Sequence, residues 1–206
     1  MSGRPRNRPI RGVIFDLDGT LVDSGLDFDL MRQEMLLEPG QPLLETIAAL
    51  GESRARECRE ILERHEREGA QRASLIPGVM AILGKLASRQ IRTAVFTRNA
   101  RQMALATLDR LRLQLDLLIA REDAPPKPDP TGIWRVCETW ELDRREVAMV
   151  GDYAFDIEAG RRAGVWTVLY AGGREPRQWA AYPPADFYLT AFEPADGWLT
   201  WLAEPT

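Results

Sequence analysis

Gly12-Val13-Ile14-Phe15-Asp16-Leu17-Asp18-Gly19-Thr20-Leu21-Val22-Asp23-Ser24 sets two carboxylates, two residues apart, at the end of an apolar run and directly before a glycine turn. A short apolar run bounded by a turn signal reads as a buried strand. Alternate side chains of an extended backbone share a face, so Asp16 and Asp18 converge on one point just beyond that strand. Two acids held there need a counter-charge. Unpaired, their repulsion raises one pKa; with a divalent cation both stay usable near neutral pH. A turn role before Gly19 accounts for Asp18 alone and leaves Asp16 unexplained.

Further short apolar runs follow at residues 93–96, 115–119, 147–150 and 167–170, separated by helical patterns, with a sixth candidate at 185–189. Strands alternating with helices predict an α/β protein whose parallel sheet is covered on both faces. The helices carry their own signals. Asn99 with Gln102 has the spacing of a capping box, and Asp129-Pro130 sets an N-cap residue before a proline at the first helical position. Ile133, Val136, Cys137 and Trp140 fall on one helical stripe, which gives Cys137 a packing role. Gly164 stops the helix before the fifth strand.

Between Ser24 and Leu75 the strand signal disappears and only helical patterns remain, broken at Pro39-Gly40 and Gly51. The expected organisation is an α/β core over residues 10–23 and 76–206 with a helical lobe, 24–75, grafted after the first strand. In the charged helix 52–72, Cys58, Ile61, Leu62 and His65 line one face, so His65, the only histidine, reads as a packed residue of that lobe and not as a catalyst.

Composition bounds the partners. The chain has 206 residues, 45% hydrophobic and 28% charged, enough to bury a full core. A net charge of −4 argues against wrapping nucleic acid, which needs clustered positive charge, and favours a small charged metabolite. No apolar run has the length of a bilayer span, and the Arg-rich start with Arg4, Arg6, Arg8 and Arg11 lacks the apolar stretch of a signal peptide. It reads as a frayed terminus without function. Cys58 and Cys137 form neither a disulfide framework nor a zinc pattern, so the expected setting is soluble, reducing and cytoplasmic, with no membrane partner. Trp179, Trp198 and Trp201 fit either a core or a subunit interface, which leaves monomer and homodimer both open.

A second acidic pair, Asp152 and Asp156 in Gly151-Asp152-Tyr153-Ala154-Phe155-Asp156, also follows an apolar strand. Four apart, both lie on one side of a first helical turn. Alone they are ordinary partners of a helix dipole; with the first pair they make four carboxylates at strand ends, where open parallel sheets bind ligands. Oxygen-only ligands suit Mg²⁺, and no cysteine or histidine lies nearby. Two more strand ends offer phosphate chemistry. Thr97-Arg98-Asn99 supplies a hydroxyl and backbone N–H groups at a helix start, and Lys127 sits among prolines in Ala124-Pro-Pro-Lys127-Pro-Asp-Pro130. Lysine occurs only here and at Lys85.

Asp16-x-Asp18-Gly19-Thr20, Thr97, Lys127 and Gly151-Asp152-x-x-x-Asp156, in this order and at strand ends, resemble the four motifs of the haloacid-dehalogenase-like (HAD) hydrolase superfamily. The likeness spans about residues 10–173 and is nearest to the phosphoglycolate phosphatase-like subgroup. It implies a Rossmann-like, doubly wound parallel sheet with a small helical cap inserted after the first strand. It implies a Mg²⁺-dependent phosphatase in which Asp16 attacks phosphorus to form an aspartyl phosphate, and Asp18 protonates the leaving oxygen and later activates water. Mg²⁺ would be held by Asp16, the Asp18 main-chain carbonyl, Asp152 and Asp156. Thr97, Arg98 and Asn99 would bind the phosphoryl group, and Lys127 would neutralise charge and orient Asp16.

The same resemblance separates alternatives. Dehalogenases of this fold lack the second aspartate, which is present here as Asp18. Phosphonate hydrolysis uses a cap lysine, and this lobe has none. Sugar phosphomutases usually carry a histidine twelve residues past the nucleophile, where this chain has Phe28. A mutase is the enzymatic alternative; a non-catalytic metabolite-binding module is the other, disfavoured by intact acids in all the motifs. The substrate itself is not named by the sequence.

Overall fold

A computed structural model describes residues 7–173 and 182–204. Along the chain, strand β1 (Gly12–Phe15) leads through β2 (Val22–Asp23) into helices α1 (Phe28–Glu34), α2 (Leu43–Ala49) and α3 (Glu52–Arg72). Strand β3 (Ser74–Leu75) returns the chain to α4 (Val79–Ser88), β4 (Arg92–Phe96), α5 (Arg101–Arg110) and β5 (Leu117–Ile119). There follow α6 (Thr131–Trp140), β6 (Val147–Gly151), α7 (Ala154–Ala163), β7 (Trp166–Tyr170), β8 (Phe187–Leu189) and α8 (Asp196–Ala203). The main sheet has the order β5-β4-β1-β6-β7-β8, and every pair in it is parallel.

Numbered only among themselves, these six strands run 3-2-1-4-5-6, the order of a doubly wound sheet. The direction of winding reverses between β1 and β6, so a crevice opens beyond the carboxyl ends of these two strands. Burial alternates with period two. Val13, Phe15, Val95 and Val150 face one core, covered by α4, α5 and α8. Ile14, Ala94, Phe96 and Met149 face the other, covered by α6 and α7. Ile133, Val136, Cys137 and Trp140 are the buried stripe of α6, and burial pushes the Cys137 thiol up to about 11, in keeping with packing and not with reactivity. Trp198 is fully buried, edge-on to Phe15, which assigns that tail aromatic to the core; Trp201 packs beside Phe187. Trp179 lies outside the described residues, as do Arg4 and Arg6, while Arg8 and Arg11 sit within 4.0 Å of acids at 143 and 146.

Helix α6 lies close against the sheet because Gly132 presents no side chain. A Cβ there would fall 2.6 Å from the Phe96 ring, which is itself buried. Gly132→Ala is therefore expected to cost about 1–3 kcal/mol through overpacking. Urea unfolding is the check, read as a lower midpoint at unchanged slope.

Several expectations change in detail. The 115–119 and 185–189 runs form shorter strands, because an aspartate in each turns its carboxylate onto the neighbouring strand. Asp116 accepts from the Thr93 amide at 2.7 Å, and Asp186 accepts from the Thr167 amide and hydroxyl, each at 2.9 Å. Pro130, not Asp129, occupies the N-cap of α6, and Asp129 caps from one residue further out by accepting from the Thr131 amide at 2.9 Å. No capping box forms at Asn99–Gln102: the N-cap of α5 is Ala100, and the Asn99 side chain is used elsewhere.

The segment between Ser24 and Leu75 is not purely helical. Val22 pairs with Leu75 and Asp23 with Ser74 in a two-residue antiparallel ribbon, so the chain leaves the core and returns side by side. Arg72 reinforces the crossing by donating to the Ser24 and Gly25 carbonyls at 3.0 and 2.7 Å. Helices α1–α3 bury Met31, Met35, Leu43, Ile47, Cys58 and Leu62 in a cluster of their own. His65 is buried there, with Nε2 3.0 Å from Glu34 Oε2.

Candidate active site

The loop after β1 is built to hold its acids at the winding reversal. The Asp16 amide donates to the Val150 carbonyl at 2.8 Å, which extends the β1–β6 ladder by one residue. The chain then turns tightly, with the Leu21 and Val22 amides both donating to the Leu17 carbonyl and the Gly19 amide to the Val22 carbonyl. Gly19 has φ +79°, and a Cβ on it would lie 2.4 Å from an Asp152 carboxylate oxygen. Glycine thus serves both the left-handed turn and the approach of the second acidic loop.

From the far side, Asp152 and Asp156 follow β6. Carboxylate oxygens of Asp16, Asp152 and Asp156 all lie within 4.8 Å of one another. Lys127 Nζ, almost fully buried, donates to Asp16 at 2.5 Å and to Asp156 at 2.6 Å. Asp156 also accepts from the Tyr153 amide at 3.0 Å. Burial raises the Asp16 pKa; Lys127 opposes that, and Asp156 and Asp152 add to it, leaving it well above the ordinary carboxylate range. Burial pulls Lys127 down, but Asp156 and Asp16 more than reverse it, so the lysine stays charged.

The Asp18 carboxylate stands apart from that trio. It accepts from the Ser24 hydroxyl and, at 2.6 Å, from Asn99 Nδ2. Burial raises its pKa, with both hydrogen bonds pulling the other way. Thr97 is buried, and its Oγ1 accepts from the Asn99 amide at 3.1 Å. Arg98 donates to the Lys127 carbonyl, lies over the Phe155 ring at 4.7 Å and pairs with Glu45 of α2 at 2.7 Å. All of these residues except Glu45 line one cleft of about 870 Å³ between the carboxyl ends of the strands and α1–α3.

The cleft therefore brings together Asp16, Asp18, Thr97, Arg98, Asn99, Lys127, Asp152 and Asp156. In it the Asn99 side chain is spent on Asp18. Sequence reasoning missed Ser24, Glu45, Glu66 and Arg121. Ser24 was visible inside the first motif; Glu45 is an exposed acid in the otherwise uncharged 41–50 run, and Glu66 and Arg121 sit on charged stretches that give no signal of their pairing. Tyr153 is half exposed at the cleft mouth, edge-on to Phe155 and Tyr182. Among the described residues no helix is long and apolar enough to cross a membrane.

Carboxylates and a buried lysine meet at the reversal point of a doubly wound sheet, where such sheets bind their ligands. A family model for haloacid dehalogenase-like hydrolases matches residues 27–170. A haloacid dehalogenase-like hydrolase domain-containing protein of Arabidopsis thaliana is 30% identical over 197 residues, covering 90% of this chain and 78% of its own. A phosphoglycolate phosphatase of Cupriavidus necator is 32% identical over 197 residues, covering 82% of this chain and 85% of its own. The crystal structure of a hydrolase from Pseudomonas syringae shares the fold at a TM-score of 0.79 and 18% identity, over 94% of this chain and 100% of that one. The chain belongs to the haloacid dehalogenase-like hydrolase family.

Proposed function

We propose that this protein hydrolyses the phosphate monoester of a small cytoplasmic metabolite, using Mg²⁺ and a covalent phosphate on Asp16. The observation that carries the reading is the cluster of Asp16, Asp152 and Asp156 around Lys127 at the carboxyl ends of β1 and β6. Three buried or half-buried carboxylates bring their oxygens within 4.8 Å of one another beside a single lysine. The donors are all oxygen, and Gly19 lets the Asp152 carboxylate approach the turn after β1. That set fits a hard divalent cation. Asp16, Asp152, Asp156 and the Asp18 carbonyl would hold Mg²⁺, which when bound supplies charge neutralisation for the phosphoryl oxygens.

The chain's own residues do the rest. Asp16 attacks phosphorus, and the bond to the ester oxygen breaks as that oxygen takes a proton from Asp18. Asp18, now ionised, removes a proton from water, which attacks phosphorus and releases inorganic phosphate and free Asp16. Lys127 holds Asp16 in line, and the Thr97 hydroxyl with the Arg98 amide takes up phosphoryl oxygens. Segment 24–75 acts as the cap that shields the reacting atoms from bulk water. Relatives that include a phosphoglycolate phosphatase support a small phosphorylated substrate.

The test is release of phosphate from 4-nitrophenyl phosphate by purified protein. Turnover is expected with Mg²⁺, none after removal of the metal with EDTA, and recovery on adding Mg²⁺ back. Turnover untouched by EDTA contradicts the metal assignment. Release of an isomeric phosphate ester from a sugar phosphate, with no inorganic phosphate, favours a mutase.

A further inference from the structure

Glu66 is a carboxylate in an unexpected place. It belongs to α3, a helix charged over most of its surface, yet it is 4% exposed and directed at the α/β core. Its Oε1 accepts from Arg121 Nη1 at 2.7 Å, and its Oε2 accepts from Arg121 Nη2 at 3.2 Å and from the Ala100 amide at 3.3 Å. Burial raises its pKa, and Arg121 opposes the rise. Replacing a buried ion pair with apolar packing is often neutral or stabilising, so a simple tie between α3 and α5 does not call for one.

The Ala100 amide and the Asn99 carbonyl belong to one peptide group. That carbonyl accepts from the Arg121 main-chain N–H at 3.0 Å, so Glu66 and Arg121 hold the peptide from both ends. The residue it fixes is Asn99, whose Nδ2 reaches the Asp18 carboxylate at 2.6 Å. A continuous set of hydrogen bonds runs from α3 through this peptide to Asp18, and it closes only with α3 seated against α5.

We propose that Glu66 is a positioning residue for Asp18, acting through the Asn99–Ala100 peptide, so that seating of the helical segment aligns the acid that protonates the leaving group. The inference rests on the phosphatase reading above. It places the coupling between cap and chemistry in a group that touches no reacting atom. Misplacing a reacting group by about 1 Å can cost on the order of 10²-fold in rate.

The readout is sensitivity to the leaving group. An alkyl phosphate needs its departing oxygen protonated, whereas 4-nitrophenolate leaves without help. The quantity compared is kcat/KM, which covers steps up to transfer onto Asp16. Glu66→Ala is expected to lower kcat/KM for an alkyl phosphate by roughly tenfold to 10²-fold and for 4-nitrophenyl phosphate by less than about threefold. Glu66→Gln keeps an acceptor oxygen for the Ala100 amide and is expected to hold the ratio of the two values near that of wild type. If Glu66→Ala does not fold, as read by thermal melting, Glu66→Asp gives the second reading. It keeps the charge, loses the reach, and is expected to shift the ratio in the same direction. Equal losses on both substrates overturn the positioning role and leave the phosphatase reading standing. A wild-type protein inactive on both substrates with Mg²⁺ overturns the two together.

Discussion

Asp16→Asn is expected to reduce phosphate release by roughly 10⁴-fold or more, the scale on which removal of a nucleophile acts. The fold should survive it. Asparagine keeps the shape, and Lys127 retains Asp156 at 2.6 Å. Burial and the neighbouring acids raise the Asp16 pKa, so the folded state favours its uncharged form. A neutral isostere removes that cost at neutral pH, where the native carboxylate is the strained species. The melting temperature of the variant is thus expected at or above that of wild type. A variant that keeps wild-type turnover would refute the nucleophile, and one that loses turnover only by unfolding would leave it unsupported.

Lys127→Met carries the second large effect, this time on stability. The lysine is the cation paired with both Asp16 and Asp156, and all three groups are nearly out of solvent. Breaking a buried pair by removing one partner costs about 3–5 kcal/mol, because the charges left behind have lost water without gaining a partner. The pH dependence has a definite sign. Without the lysine, the Asp16 carboxylate is pushed further toward its protonated form. The cost is therefore full above the folded-state pKa of Asp16 and shrinks as pH falls and it takes up a proton. Urea midpoints of wild type and variant should differ most near neutral pH and converge in acid. Added Mg²⁺ should restore part of the difference by binding the folded state. A variant as stable as wild type at neutral pH contradicts the charge balance drawn for this cluster.

Much of the architecture was legible because it follows from two short periods. Four-residue apolar runs ending in acids or a threonine mark parallel strands, and their carboxyl ends are where the ladder stops and side chains become available to a ligand. The stripe from Ile133 to Trp140 announced a buried face in the same way. The ribbon of Val22–Asp23 against Ser74–Leu75 was not legible, since two residues carry no periodicity. Its pairing is fixed by Arg72 and by helices that bring distant ends together. Asn99 misled because asparagine beside a helix start is a common cap; only the distance to Asp18 shows its use. Glu66 is one charge among many in the helix 52–72 and drew no reading of its own. Its burial comes from α5 and Arg121, which lie far along the chain and leave no mark on the local pattern.

The covalent step offers the most direct measurement. Acyl phosphates are reduced by borohydride to the alcohol, so protein quenched during turnover and then reduced should carry homoserine in place of Asp16, identified by mass spectrometry of its peptide. The account predicts homoserine at position 16, dependent on both substrate and Mg²⁺. Steady turnover with residue 16 unmodified at every quench time, or the modification appearing at Asp18, Asp152 or Asp156 instead, would contradict it.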